Sequence, residues 1–132
     1  MNTYADELTA AAVAFRDREA CRPDFRKFGP VTDNMIFAGG YEDSCSGDSG
    51  GPLTCVYERV RYLCGVISWG MDCTHPENKK YPGVYTDVRK YGTWIQDQLR
   101  AWGNADVYFC LITFNASCTE ESNWFAFVRE QN

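Results

Sequence analysis

The sequence predicts an all-β domain of barrel-like architecture that ends in a single helix. Two observations carry this reading. The apolar runs are short and are punctuated by turns rich in Gly, Ser and Asp, and helical spacing is clear at only one place, near residue 100. Taken in order, Leu8-Thr9-Ala10-Ala11-Ala12-Val13-Ala14-Phe15 is a candidate strand, with helix competing because alanine favours it. Residues 21–34 read as loop, broken by Pro23, Gly29 and Pro30. Met35–Ala38 is a short apolar strand that stops at Gly39-Gly40, and residues 41–52 form a tight irregular loop. Pro52–Tyr57 and Arg61–Trp69 are β-rich and joined by the turn Glu58-Arg59-Val60. Residues 70–83 form a second loop, Val84–Val88 another strand, and Tyr91, Ile95, Leu99 and Trp102 recur at helical spacing before Gly103. Beyond that, Val107–Phe114 looks like a strand.

Composition narrows the function classes. With 132 residues, 45% hydrophobic and 15% aromatic, the chain suits most of one packed domain rather than a disordered tail. The net charge is −5, and no basic patch points to nucleic acid. The longest apolar runs, Val107–Phe114 and Trp124–Val128, fall far short of the ~20 residues of a membrane-spanning helix. No signal peptide is visible at Met1-Asn2-Thr3-Tyr4. Seven cysteines without a CxxC pair, beside a single histidine, argue against a zinc site and for disulfides in an oxidising compartment. Their odd number leaves at least one thiol without an intrachain partner. Disulfide usage without a secretion signal leads to the expectation that these residues are part of something longer.

Chemistry concentrates in Asp43-Ser44-Cys45-Ser46-Gly47-Asp48-Ser49-Gly50-Gly51-Pro52-Leu53. A serine flanked by glycines can sit in a strained turn with its hydroxyl exposed and backbone N–H groups free to stabilise an oxyanion. The stretch also matches the G-x-S-x-G elbow of α/β-hydrolases, but that motif needs a helix straight after the serine, and here Pro52 leads into a β-rich run.

The segment resembles, nearly residue for residue, the active-site stretch of the trypsin/chymotrypsin-like serine proteases. The likeness runs roughly from Leu8 to Leu99 and takes in Ile67-Ser68-Trp69-Gly70, Cys73, Tyr81-Pro82-Gly83-Val84-Tyr85-Thr86-Asp87-Val88 and the helix with Trp94-Ile95. It implies the second antiparallel Greek-key β-barrel of that fold, incomplete, with its C-terminal helix, over residues 1–100, and an extension of unknown role over 101–132. By resemblance Ser49 is the nucleophile, and the N–H groups of Gly47 and Ser49 form the oxyanion hole. Asp48 matches the carboxylate that pairs with a new N-terminal ammonium after activation cleavage. Asp43 matches the base of a primary pocket for substrate Arg or Lys, with a plain turn aspartate as the alternative. Ser44 follows Asp43 as the family pattern requires, and Gly70 and Gly83 match the pocket walls. Ser68-Trp69-Gly70 matches the edge that pairs with substrate backbone, Trp69 being equally suited to a core. Pro82 stands where sodium-regulated relatives carry Tyr. Cys45 and Cys73 are expected to pair around the pocket. No cofactor and no metal is expected.

The resemblance also implies departures. No histidine precedes Ser49, and the only one, His75, lies in the insertion 74–80 and reads as a solvated loop residue. The expected picture is a nucleophile-bearing half without the catalytic His and Asp, lacking a first barrel and the opening strands of the second. Cys21 would pair to the position held by Phe37, Cys55 with a cysteine further upstream, and Cys64 with no recognisable partner. Cys110 and Cys118 could pair around the Asn115-Ala116-Ser117 glycosylation sequon. The implied function is a secreted serine endopeptidase cleaving after Arg or Lys. Its partners would be protein or peptide substrates, the missing N-terminal half or a protease inhibitor, with neither nucleic acid nor membrane. The alternative is a catalytically inactive homologue acting as an extracellular protein-binding module.

Overall fold

Along Thr9–Val13 burial alternates, with Ala11 and Val13 turned inward and Ala10 and Ala12 outward. That period of two makes the alanine-rich segment a strand rather than a helix: one face has a core to bury, and packing overrides alanine's helical preference. A computed structural model of the chain describes residues 8–39, 43–57, 59–102 and 124–128, the last by backbone alone. In it β1 (Thr9–Val13) and β2 (Phe15–Arg16) are successive pieces of one segment, followed by α1 (Arg18–Phe25) and β3 (Met35–Ala38). A hairpin of β4 (Pro52–Tyr57) and β5 (Val60–Trp69) comes next, then β6 (Gly83–Asp87), α2 (Gly92–Ala101) and β7 (Trp124–Val128). Short 3-10 turns occupy Pro76–Lys80 and Val88–Tyr91. The predicted strand over 107–114 lies outside the described residues.

All strand pairings are antiparallel, in the order β1-β7-β4-β5-β6-β3-β2. The segment that carries β1 also carries β2 at the opposite end, and Ala14 between them accepts a hydrogen bond from Gly39 N–H at 2.9 Å. The sheet is therefore curled. Strands β1–β6 by themselves leave the barrel unclosed between β1 and β4. Inside the curl, Val13, Ile36, Ala38, Leu53, Ile67 and Tyr85 form one buried cluster, with Ala11 and Phe15 against it.

The expected loop over 21–34 begins as a helix. Residues 18–25 form α1 despite Pro23, because Asp17 caps it: its Oδ1 accepts from Ala20 N–H at 2.8 Å, while the Cys21 N–H reaches Asp17 C=O. Phe25 ends the helix fully buried, with its ring 5.0 Å from Phe37 and edge-on to Trp69 at 5.6 Å. This second cluster explains the substitution at position 37. The Phe37 ring fills the interior beside Cys21, which packs against the same cluster with a free thiol. Burial pushes that thiol's pKa up.

The cysteines also correct an expectation. Cys55 and Cys64 pair with each other, nine residues apart, across the β4–β5 hairpin. The hairpin register places Cys55 opposite Tyr62 and Thr54 opposite Leu63, so Cys64 lies just beyond its partner on the neighbouring strand. Neither cysteine needs an upstream partner.

Candidate active site

The end of β5 organises the site. Gly50 N–H donates to Ile67 C=O, and Ile67 N–H donates to Gly51 C=O, both at 2.9 Å. These two bonds tie the serine loop to β5, immediately before Ser68-Trp69-Gly70. Within the loop, Asp48 N–H bonds Cys45 C=O and Gly51 N–H bonds Asp48 C=O, giving two consecutive tight turns. Gly47 and Gly50 adopt φ of 104° and 85°, values that only glycine takes without strain. Ser49 stands between them, exposed. Among the described residues, the N–H groups of Gly47 and Ser49 bond to nothing. A turn that exposes a hydroxyl and leaves two nearby N–H donors unspent can hold an oxyanion formed when the hydroxyl adds to a carbonyl.

Asp48 is only 6% exposed, and its Oδ2 accepts from Cys45 N–H at 2.7 Å. The carboxylate thus braces the turn from inside. Cys45 is held again by its disulfide to Cys73, as expected. Closing that 28-residue loop restricts the unfolded chain by about 3–4 kcal/mol.

Asp43 lies on the far side of Cys45. Its Oδ1 accepts from Ser44 N–H at 2.7 Å, Ser44 Oγ–H at 3.4 Å and Tyr85 O–H at 3.4 Å. Burial, partly opposed by these hydrogen bonds, leaves the Asp43 carboxyl raised to about 6. The Tyr85 hydroxyl is raised as well, by burial first and by the neighbouring Asp43 second. Glycines make the room. A Cβ on Gly83 would fall 2.5 Å from Asp43 Oδ1, and one on Gly39 would fall 3.2 Å from the same carboxyl. Gly70 faces the Gly83 backbone, where a Cβ would sit 3.6 Å from the Gly83 Cα. Asp43, Ser44, Gly70 and Gly83 therefore share one place. Gly39 and Tyr85 join them unforeseen. A signal existed for Gly39, since it follows an apolar strand and stands four residues before Asp43.

Ser68 is exposed at an irregularity in the β5–β6 pairing, where Ile67 faces Tyr85 and Trp69 already faces Val84. A backbone that leaves the ladder there has groups free for an extended ligand. Trp69 serves the core, packed in the Phe25–Phe37–Val84 cluster. The His75 side chain is 61% exposed, and its Nε2 lies 3.6 Å from Asp72 Oδ2. Asp72 itself is held below the usual carboxylate range by hydrogen bonds from Thr74. A cavity of about 560 Å³ opens between α1 and the Lys80-Tyr81-Pro82 loop, also lined by Arg16, Asp17 and Cys21 and reaching neither Asp43 nor Ser49. No cluster of His, Cys, Asp and Glu among the described residues could hold a metal ion. Asn115, Cys110 and Cys118 lie outside the described residues.

Comparison with known proteins shows the family of the chain. The trypsin family profile matches residues 1–95. The chain belongs to the trypsin family of serine proteases. It is 39% identical over 101 residues to a urokinase-type plasminogen activator from Gallus gallus, covering 74% of this chain and 23% of that protein. It is 39% identical over 106 residues to a tissue-type plasminogen activator from Homo sapiens, covering 74% of this chain and 18% of that protein. A tissue-type plasminogen activator from Rattus norvegicus matches at 36% over 105 residues, again 18% of its length. The chain thus spans about a fifth of these curated relatives. The trypsin-like sheet, the C-terminal helix and the Cys45–Cys73 disulfide are family features here, and no described helix is long and apolar enough to cross a membrane.

Proposed function

We propose that these residues supply the nucleophile and the primary specificity pocket of a secreted serine endopeptidase that cleaves after Arg or Lys. The observation that carries the reading is the pairing of two features on one short loop: the exposed Ser49 between glycines of positive φ, and the half-buried Asp43 carboxyl in a glycine-walled recess. In this reading Ser49 Oγ attacks the scissile carbonyl and the Gly47 and Ser49 N–H groups receive the oxyanion. Asp43, with Ser44 and Tyr85 bonded to its Oδ1, receives the guanidinium or ammonium of the residue before the cut. Gly70 and Gly83 leave space for its long stem, and the Ser68–Gly70 edge aligns the substrate backbone. Asp48 sets the serine turn. The sequon at Asn115 is a candidate glycosylation site.

The proton on Ser49 needs a base, and the one histidine in these residues pairs with Asp72 instead. The base and its orienting carboxylate therefore come from a separate His- and Asp-bearing segment. Loss of triad members lowers turnover by about a millionfold, so this chain by itself binds without turning over. That same observation favours the second reading, an inactive homologue that uses the Asp43 recess to bind extracellular proteins. Mixing the chain with a polypeptide bearing a trypsin-like His and Asp separates the two. Hydrolysis of Arg and Lys peptide esters that vanishes in Ser49→Ala supports the protease. Tight benzamidine binding lost in Asp43→Ala, with no hydrolysis in any mixture, supports the binding module. Absence of both sinks the shared pocket.

A further inference from the structure

A seam runs through the barrel between β1 and β4, two strands that do not pair with each other among the described elements. Both sides of the seam feed the same interior: Val13 from β1 and Leu53 from β4 belong to one buried cluster. An open seam there would leave two rows of backbone N–H and C=O groups unpaired beside apolar side chains, which is costly in water and invites association with other chains.

β7 lies in that seam. It pairs antiparallel with β1 along its whole length, from Thr9 opposite Val128 to Val13 opposite Trp124. On its other side it pairs with β4, Leu53 opposite Ala126 and Thr54 opposite Phe125. Position 126 is therefore the crossing point, opposite Ala11 on one side and Leu53 on the other. We propose that the β1–β4 seam is a strand-acceptor site, and that its occupant is residues Trp124–Val128 of this same chain. The extension after α2 is then an internal stave of the barrel rather than an appended module. The connecting residues, 103–123, reach up to roughly 70 Å when extended, ample to return across one small domain. Closing a connection of that length costs little more than closing a shorter one. The recognition is backbone-led, as in other strand additions, so the seam accepts any extended segment that competes successfully with residues 124–128.

Hydrogen exchange on the intact 132-residue chain, resolved to single amides, tests this. The segment 124–128 is expected to exchange roughly a hundredfold or more slower than an unstructured peptide, together with Ala10–Val13. Exchange of 124–128 at the unstructured rate overturns the proposal. A Phe125→Pro variant, which removes a donor without touching β3, β5 or β6, is expected to deprotect Ala10–Val13 and Leu53–Thr54 while Val84 and Tyr85 stay protected. Unchanged protection of β1 and β4 in that variant overturns it. If the variant unfolds outright, a synthetic peptide of residues 120–132 added in excess to the chain truncated after Gly103 takes its place. Restored protection of Ala10–Val13 supports the acceptor site, and no effect at saturating peptide contradicts it. Measurement across protein concentration identifies the occupant. Protection independent of concentration supports the same-chain strand, and protection that appears only in a dimer assigns the seam to a second copy.

Discussion

Asp43 gives the recess its pH behaviour. Its carboxyl is raised from the ordinary carboxylate range to about 6 because burial penalises the charge. A group whose acid form is favoured by folding contributes most below its unfolded pKa. Between about pH 4 and pH 6 the unfolded chain has released this proton while the folded chain keeps it, so stability falls as pH rises through that window. Under the proposed function, cation binding runs the other way, because the amidinium needs the charged carboxylate. Benzamidine affinity measured by calorimetry is expected to fall by about tenfold per pH unit below 6, with protons released on binding near that pH. A flat affinity from pH 5 to 8 would place the cation elsewhere. Gly83→Ala puts a methyl group 2.5 Å from Asp43 Oδ1 and is expected to weaken benzamidine binding at least tenfold, whereas Gly29→Ala, open to solvent, leaves it unchanged.

At the scale of elements, the serine loop and the disulfides decide what holds the site. Reducing Cys45–Cys73 by a paired Cys→Ser change is expected to lower stability by about 3–4 kcal/mol, and the Cys55–Cys64 pair by about 2–3 kcal/mol, in denaturant melts. Asp87 contributes differently. It is fully buried at the end of β6, and its two oxygens take Nε and an Nη of Arg89 at 2.7 Å. Asp87→Ala is expected to cost about 2 kcal/mol and to loosen the turn that starts α2. Among the strands, β1 shows its buried face by alternation, while β3, β4, β5 and β6 read from short apolar or β-rich runs between turn residues; α2 reads from helical spacing alone, since Trp94 and Trp102 stay exposed. α1 was not, because Pro23 reads as a breaker. The readable signal was Asp17 as an N-cap, bonded to Ala20 N–H; the larger cost of the proline is offset by burial of Phe25 against Phe37 and Trp69. Cys55 with Cys64 was also readable, from the predicted hairpin alone, had the likeness to relatives not assigned Cys55 a distant partner.

For the whole molecule, the Ser49 turn was legible from its flanking glycines, whereas the grouping of Asp43 with Gly83 was implied only by the family resemblance. Gly39 and Tyr85 were not, since both reach Asp43 only through the register of β3 with β6, where Ala38 faces Gly83 and Ile36 faces Tyr85. Position 37 likewise gains its meaning only in three dimensions, where Phe25 and Phe37 fill the space next to Cys21. The Ser49 turn and the Asp43 carboxyl thus lie on one segment, braced by Asp48 and the Cys45–Cys73 disulfide, while the lone histidine pairs with Asp72. Labelling with a fluorophosphonate probe, read by intact mass and mapped by peptide, measures whether that division is real. The account predicts that the chain alone stays unlabelled while an intact trypsin control labels completely, and that adding a His- and Asp-bearing partner brings labelling at Ser49. Rapid labelling of Ser49 in the isolated chain, or labelling mapped to another residue, would contradict it.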